Sequence, residues 1–282
     1  MMQAPHSKPD GEIDALLHGI HDRYGYDFSH YARASLHRRI ERAREKARVA
    51  DYTALLKLLS QDAFEFDRFL RTISISVTDM FRDPPFYRMV REMIVPMLKT
   101  FPFVKIWHAG CATGEEAYSM AMVLHEEGLL DRARIYATDF NTLSLERADN
   151  GVFPVRKLFG RAAQYRQAGG RGDFFNYFTV GYDFARIKDF LKNRITFSYH
   201  NLVTDGVFGE MNLICCRNVL IYFDRVLQEQ VLRQFADSLR HGGYLCLGAK
   251  ENIGIAPLRG LFTLVDDRQK AFRKTGPIAG QS

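Results

Sequence analysis

Apolar residues recur at helical spacing through the first quarter of the chain. Leu16, Leu17, Ile20 and Tyr24 share one face, as do Tyr52, Leu55, Leu56 and Leu59, and no convincing strand interrupts residues 12–74. The spacing predicts a small all-α domain over residues 11–75, behind a disordered tail at 1–10. Residues 76–100 form a linker to a second domain. From Phe101 the pattern changes to short apolar runs alternating with helices. VKIWHA (104–109) reads as a buried strand, Glu115–Glu127 as a helix, RIYAT (134–138) as a strand ending at Asp139, and Leu143–Asn150 as a helix. ITFSYH (195–200), NLICC (212–216) and YLCLG (244–248) are further strands. A helix over Arg225–Arg240 precedes the last of them, stopped by Gly242-Gly243. LFTLVDD and KAFRK suggest a closing hairpin. This alternation predicts an α/β domain over 101–282 with a largely parallel sheet. Residues 160–194 break the alternation and read as an insertion with a small antiparallel sheet. Its glycine-rich start, with Gly169, Gly170 and Gly172, is expected to be mobile.

The chain has 282 residues, room for one large domain and a smaller one. No apolar run approaches the length of a membrane span, so no membrane insertion is expected. The start lacks the apolar stretch of a signal peptide, so a cytoplasmic location is the default. Cys111, Cys215, Cys216 and Cys246 fall in or beside predicted strands, without the paired spacing of a zinc site. Buried free thiols are the plain reading, and no metal is expected. The net charge of +6 permits a nucleic acid, an anionic membrane or an acidic protein as partner and does not choose among them.

The strongest chemical signal is strand, then Gly110-Cys111-Ala112-Thr113-Gly114, then helix. Glycines there allow a tight turn and close approach of a ligand to a helix N-terminus. The loop lacks the full G-x-G-x-x-G of a dinucleotide site. Glu115-Glu116 comes directly after it. Two carboxylates would repel a pyrophosphate and would suit a ligand carrying an ammonium or sulfonium charge, although glutamates also simply favour a first helical turn. Asp139, ending the second strand, stands where an acid accepts hydrogen bonds from ribose hydroxyls. It could equally cap the next helix, as could Asn141 or Thr142.

Taken together, IWHAGCATGEEAYSMAM, ATDFN and NLICCRNVLIYFD, with SVTDMFRDPPFY upstream and GGYLCLG…E downstream, resemble the CheR family of chemoreceptor glutamate methyltransferases. The resemblance runs from about residue 12 to 274. It implies a helical N-terminal domain joined to a class I S-adenosylmethionine-dependent methyltransferase (Rossmann-like) domain carrying a small β-subdomain. Carried over residue by residue, it implies that Ser76, Thr78 and Arg82 lie on a segment closing over S-adenosylmethionine. Arg82 would contact the methionine carboxylate or hold the substrate carboxylate. Gly110 belongs to the cofactor turn, Glu115 would bind the amino group, Asp139 the ribose, and Asn201 and Leu202 would flank the adenine. Arg217 and Asn218 would line the methyl-transfer pocket, with Tyr222 aligning the substrate. The family often has Asn where Ser76 stands. Its L-G-H-S-E segment reads Leu247-Gly248-Ala249-Lys250-Glu251 here, so no histidine or serine role transfers.

The resemblance implies methyl transfer to receptor glutamates, giving methyl esters and S-adenosylhomocysteine. A glutamate is already ionised at neutral pH and the sulfonium is an activated leaving group, so alignment is the enzyme's task. The partner implied is the acidic cytoplasmic helical bundle of a chemoreceptor. Residues 31–50 hold seven Lys/Arg against Glu41 and Glu45, and Arg38, Arg42 and Lys46 fall along one helix face that could steer such a bundle. A solvated face with local pairs is the plain alternative. Two rival functions remain at this point. A nucleic-acid methyltransferase lacks support because Asp83-Pro84-Pro85-Phe86 lies before the cofactor strand, on the wrong segment for an amino-methylation motif, so no nucleic-acid partner is expected. An inactive cofactor-sensing module is disfavoured by the joint presence of Arg82, Arg217 and Tyr222. A monomer that acts without docking on a receptor tail peptide is expected.

Overall fold

The computed structural model describes residues 9–74, 78–254 and 260–276. The tail expected to be disordered falls almost wholly outside them, and Ser76 does too. Two compact units emerge. One contains the chain up to residue 75 together with 221–228, and the other contains 76–220 and 229 onwards.

The first unit is built from α1 (Pro9–Tyr24), α2 (Arg33–Ala47), α3 (Tyr52–Gln61) and α4 (Ala63–Ser74). Ile13, Leu16 and Ile20 of α1 are buried with Leu36, Ile40 and Ala43 of α2, Leu55 and Leu59 of α3, and Phe66, Phe69, Leu70 and Ile73 of α4. The helix periodicity of the sequence is thus the inward face of each helix. Arg48, in the left-handed region at φ 56°, ends α2. The Asp51 side chain then accepts from the Ala54 N–H at 2.7 Å and starts α3.

The second unit opens with α5 (Pro84–Met89), a π-turn at Val90–Ile94 and α6 (Val95–Leu98). Next come β1 (Val104–Ala109), α7 (Glu115–Glu126), β2 (Ala133–Asp139), α8 (Thr142–Asn150), β3 (Val152–Pro154), α9 (Val155–Phe159), α10 (Arg161–Gln167), β4 (Phe178–Val180), β5 (Phe184–Ile187), α11 (Asp189–Lys192) and β6 (Ile195–Tyr199). β7 (Met211–Cys216), α12 (Arg225–Ser238), β8 (Leu239–Leu247), β9 (Phe262–Asp266) and β10 (Ala271–Lys274) complete the chain. The main sheet runs β6-β2-β1-β7-β8-β10-β9. Its first five strands are parallel, and β10 pairs antiparallel with both β8 and β9. This is the class I methyltransferase order, with the terminal hairpin closing one edge. Strand order reverses between β1 and β7, and open α/β sheets bind ligands beyond the carboxyl ends of strands at such a point.

β7 is buried at every position and α7 is buried from Ala117 to Leu124, so these two elements form a rigid floor. Trp107 of β1 is fully buried, stacks on Phe208 with centroids 4.8 Å apart, and donates from Nε1 to Thr138 at 2.8 Å. The four cysteines are free and buried.

Two local features differ from the sequence reading. Gly242 and Gly243 do not stop α12. The chain passes straight from Ser238 into β8, and Gly243 within that strand leaves room where a Cβ would lie 3.0 Å from the Arg240 carbonyl. The small antiparallel sheet, ordered β3-β5-β4, draws its first strand from residues 152–154. The glycine-rich stretch after 160 is preceded by helix α10, and Gly170 presses against the Tyr165 ring so closely that a Cβ would sit 2.4 Å from it. Arg91 ties this region to α7 by donating to the Ala168 carbonyl at 3.1 Å while pairing with Glu126 at the end of α7 and with Glu127 just beyond it.

Candidate active site

The turn after β1 is shaped by its neighbours. Gly110 has φ +75° and a Cβ there would meet the Val219 side chain at 2.5 Å. Gly114 has φ +87° and a Cβ would meet the Ala148 side chain at 2.9 Å. No other residue type satisfies both the backbone and the space. The Gly110 and Cys111 N–H groups both donate to the Thr138 carbonyl, at 2.8 and 2.9 Å, which fastens the turn to the end of β2.

The two adjacent glutamates do different things. Glu115 accepts from the Thr113 hydroxyl at 2.6 Å, and among the described residues no cation pairs with it within salt-bridge distance. Burial pushes its carboxyl up to about 6. Glu116 turns to the protein. It lies 3.0 Å from His108 Nδ1 and accepts from Arg217 Nη1 at 2.9 Å. Burial would raise it too, but Arg217 and His108 overcome that and hold it down at about 2. His108, Glu116 and Cys215 offer ligand atoms within 4.8 Å of one another. With Glu116 already neutralised by Arg217, a metal ion there would face a guanidinium.

Asp139 is buried at the end of β2. Its Oδ2 accepts from the Ala112 N–H and its Oδ1 from the Asn141 N–H, both at 2.9 Å. Burial raises its pKa against those hydrogen bonds. Helix α8 is capped by Asn141 instead, whose side chain accepts from the Ser144 N–H at 3.0 Å. Asp139 is thus released from capping, and its remaining lone pairs are available to hydroxyl donors. Beyond β6, Asn201 uses its side chain to accept from the Val203 N–H at 3.0 Å, and Leu202 is buried beside it in the chain.

Arg217, at the end of β7, is a buried latch. Besides Glu116 it donates to Asp83 at 2.7 Å and lies 4.0 Å over the Phe86 ring. Its burial and its two acids identify it as a support for the segment before α5. Phe81 and Asp83 of that segment both have positive φ, 52° and 58°. Such strain persists only where surroundings dictate it. Here Phe81 is fully buried and its N–H donates to Ser119 of α7 at 2.9 Å, while Asp83 is held by Arg217. Arg82 sits half-buried between these anchors, four residues after the half-buried Thr78. Asn218, at φ 61°, is fixed through its N–H to Glu251 at 3.0 Å, and the same carboxylate oxygen accepts from the Gly248 N–H at 2.6 Å. Tyr222 ends a 3-10 turn at Leu220–Tyr222 and packs with the helical unit, under the Arg39 guanidinium at 4.3 Å. On α2, Arg38, Arg42 and Lys46 are all exposed. Glu41 does not pair with Lys46 but with Arg44, at 2.6 Å.

The second unit therefore gathers Gly110, Glu115 and Asp139 beside the switch point, with the Arg82 segment and the Arg217–Asn218 turn braced in the same unit. Asp83, Glu116, Ser119 and Glu251 do the bracing, a role the sequence assigned to none of them. The donor set fits S-adenosylmethionine: a desolvated carboxylate suits an ammonium, a buried strand-end aspartate suits a ribose, and the turn leaves no room for a Cβ. Residues 76–269 match the family model "CheR methyltransferase, SAM binding domain", and residues 11–74 match "CheR methyltransferase, all-alpha domain". The chain is 43% identical over 266 residues to a Pseudomonas putida protein named as methyltransferase Cher3, spanning 94% of this chain and 97% of that one. It is 31% identical over 264 residues to the chemotaxis protein methyltransferase of Listeria innocua, spanning 90% and 98%. With the Salmonella typhimurium chemotaxis protein methyltransferase it shares 29% over 253 residues, spanning 86% and 84%. From the all-α domain to the cofactor turn, this chain belongs to the CheR family of S-adenosylmethionine-dependent methyltransferases.

Proposed function

We propose that the protein esterifies glutamate side chains in the acidic cytoplasmic helical bundle of chemoreceptors, acting as a cytoplasmic monomer. The observation that carries the cofactor half of this reading is Glu115, a half-buried carboxylate that no cation among the described residues pairs within salt-bridge distance, in the same unit as the buried Asp139. When bound, S-adenosylmethionine supplies a methyl group on a positively charged sulfur, already activated for displacement. Glu115 neutralises the cofactor's ammonium, Asp139 accepts from its ribose hydroxyls, and Asn201 and Leu202 bound the adenine. Gly110 lets the backbone approach. Thr78 and Arg82 close over the methionine end, and Arg217 and Asn218 set the wall on which that segment rests.

On the substrate side, the glutamate carboxylate is ionised at neutral pH and needs no base. Arg82 and Tyr222 offer it donors and remove no proton. Their grip must be modest, because the carboxylate charge disappears in the transition state. Arg38, Arg42 and Lys46, exposed on α2, present a positive stripe to an acidic helix. Transfer of a radiolabelled methyl group to a receptor cytoplasmic fragment tests the proposal. A base-labile label on the fragment is the expected result. A base-stable label on RNA or DNA, or cofactor binding without transfer, would contradict it.

A further inference from the structure

We propose that Arg39 is a positioning residue for Tyr222. The inference rests on the reading of Tyr222 as the residue that aligns the substrate carboxylate. Arg38 and Arg42 of α2 face solvent, whereas Arg39 between them is only 6% exposed. A guanidinium withdrawn from water needs partners for its charge as well as its protons. Nη1 of Arg39 donates to the Ile73 carbonyl at 2.7 Å and Nη2 to the Ser35 hydroxyl at 2.9 Å, both neutral acceptors. Among the described residues no carboxylate pairs with it within salt-bridge distance. What faces the charge is the ring of Tyr222, 4.3 Å from the guanidinium carbon to the ring centroid. The negative face of an aromatic ring attracts a cation, and most strongly where water is excluded.

The main chain around Tyr222 is held by the same unit. The Tyr222 carbonyl accepts from the Ala32 N–H at 2.9 Å. Phe223 forms an isolated bridge with Tyr31, and their rings meet edge-on at 5.3 Å. The Asp224 N–H donates to the His30 carbonyl at 2.8 Å, and its carboxylate lies 3.0 Å from His30 Nδ1. The backbone is therefore fixed at the tyrosine and just after it, and the remaining freedom is rotation of the side chain. A planar cation against the ring face removes it. A purely structural arginine, stapling α2 to α4 through Ile73, would not need to lie on this ring.

A double-mutant cycle in turnover separates the two roles. The full-length protein, Arg39→Gln, Tyr222→Phe and the double variant are assayed with S-adenosylmethionine and a receptor cytoplasmic fragment. Arg39→Gln should lower kcat about tenfold, with KM for the fragment changed less than about threefold and cofactor affinity by calorimetry within about twofold. In the Tyr222→Phe background the same change should have no further effect on kcat. Independent, multiplying losses would overturn the proposal while leaving Tyr222 its role. Wild-type turnover in Tyr222→Phe would remove the reading of Tyr222 itself, and the proposal with it. Should Arg39→Gln lose its circular dichroism signal, Arg39→Lys reads the same cycle. It keeps a charge and a donor for Ile73 but loses the planar stack, so the proposal requires it to be slow and wild-type turnover would overturn it.

Discussion

Replacing Glu115 by glutamine separates what this carboxylate does for the fold from what it does for the ligand. Burial raises its pKa from 4.5 to about 6. At roughly 1.4 kcal/mol per unit, holding it ionised inside the folded chain costs about 2 kcal/mol. The native state binds this proton more tightly than the unfolded chain does, so the cost appears as pH rises from the unfolded value and is complete above the folded one. At pH 7 the ligand-free Glu115→Gln protein should therefore be more stable than wild type by up to about 2 kcal/mol, a rise of a few degrees in Tm. Glutamine still accepts from Thr113. The cofactor should respond in the opposite sense. Only the ionised carboxylate pairs with its ammonium, and the ionised fraction falls from roughly nine-tenths at pH 7 to one-tenth at pH 5 for a pKa near 6. Wild-type affinity should weaken about tenfold over that interval. The variant should bind about 10- to 100-fold more weakly at pH 7, the worth of a hydrogen bond to a charged group, and lose most of the slope. Any residual slope belongs to Asp139, which burial shifts in the same direction. Calorimetry with S-adenosylmethionine and S-adenosylhomocysteine, which share the ammonium, measures this across pH 5–8, and differential scanning calorimetry gives the Tm. Unchanged affinity at pH 7 in a folded variant, or a flat wild-type profile, would refute the assignment.

Glu116→Gln should act in the reverse way, destabilising the protein by about 3–5 kcal/mol because it leaves Arg217 and His108 without their shared carboxylate. Because the folded pKa of Glu116 is held at about 2, its stabilisation is present above the unfolded value and is lost as pH falls through the folded one. Denaturant titrations at pH 7 and at pH 3 should therefore show the wild-type advantage shrinking in acid. Asp139→Ala should weaken cofactor binding by about 1–3 kcal/mol in calorimetry, with the fold intact by circular dichroism. Reversing the charges at Arg38 and Arg42 should lower kcat/KM for a receptor fragment at low salt and flatten its salt dependence, since screening shortens from about 10 Å at 0.1 M to about 3 Å at 1 M. Wild-type kinetics at every ionic strength would remove the basic face from substrate capture.

The sequence revealed what is local. β1, the Gly110–Gly114 turn and α7 are a contiguous strand–turn–helix, and their boundaries fall within a residue of those read from the pattern. The largely parallel sheet was legible in the alternation of strands and helices, and the closing hairpin in the segments LFTLVDD and KAFRK. Partnerships across the chain were not legible. Nothing in the pair Glu115-Glu116 says which carboxylate faces a ligand. The answer is set by Arg217, about a hundred residues later, and by His108 on the preceding strand. Asp83 figures in the sequence only within the run Asp83-Pro84-Pro85-Phe86, yet its side chain serves Arg217. Gly242-Gly243 reads as a helix stop because glycine commonly ends helices. Here Ser238 ends α12 and the glycines permit close packing inside β8. The expected roles of Arg82, Tyr222 and the Arg38 face depend on a substrate that no local pattern describes.

The measurement that most directly tests the central claim is mass spectrometry of a receptor cytoplasmic fragment after incubation with the protein and S-adenosylmethionine. The account predicts one methyl group added per modified glutamate, released as methanol by mild base, and lost when those glutamates are replaced by alanine. Methyl groups that survive base, or that persist on the alanine-substituted fragment, would contradict it.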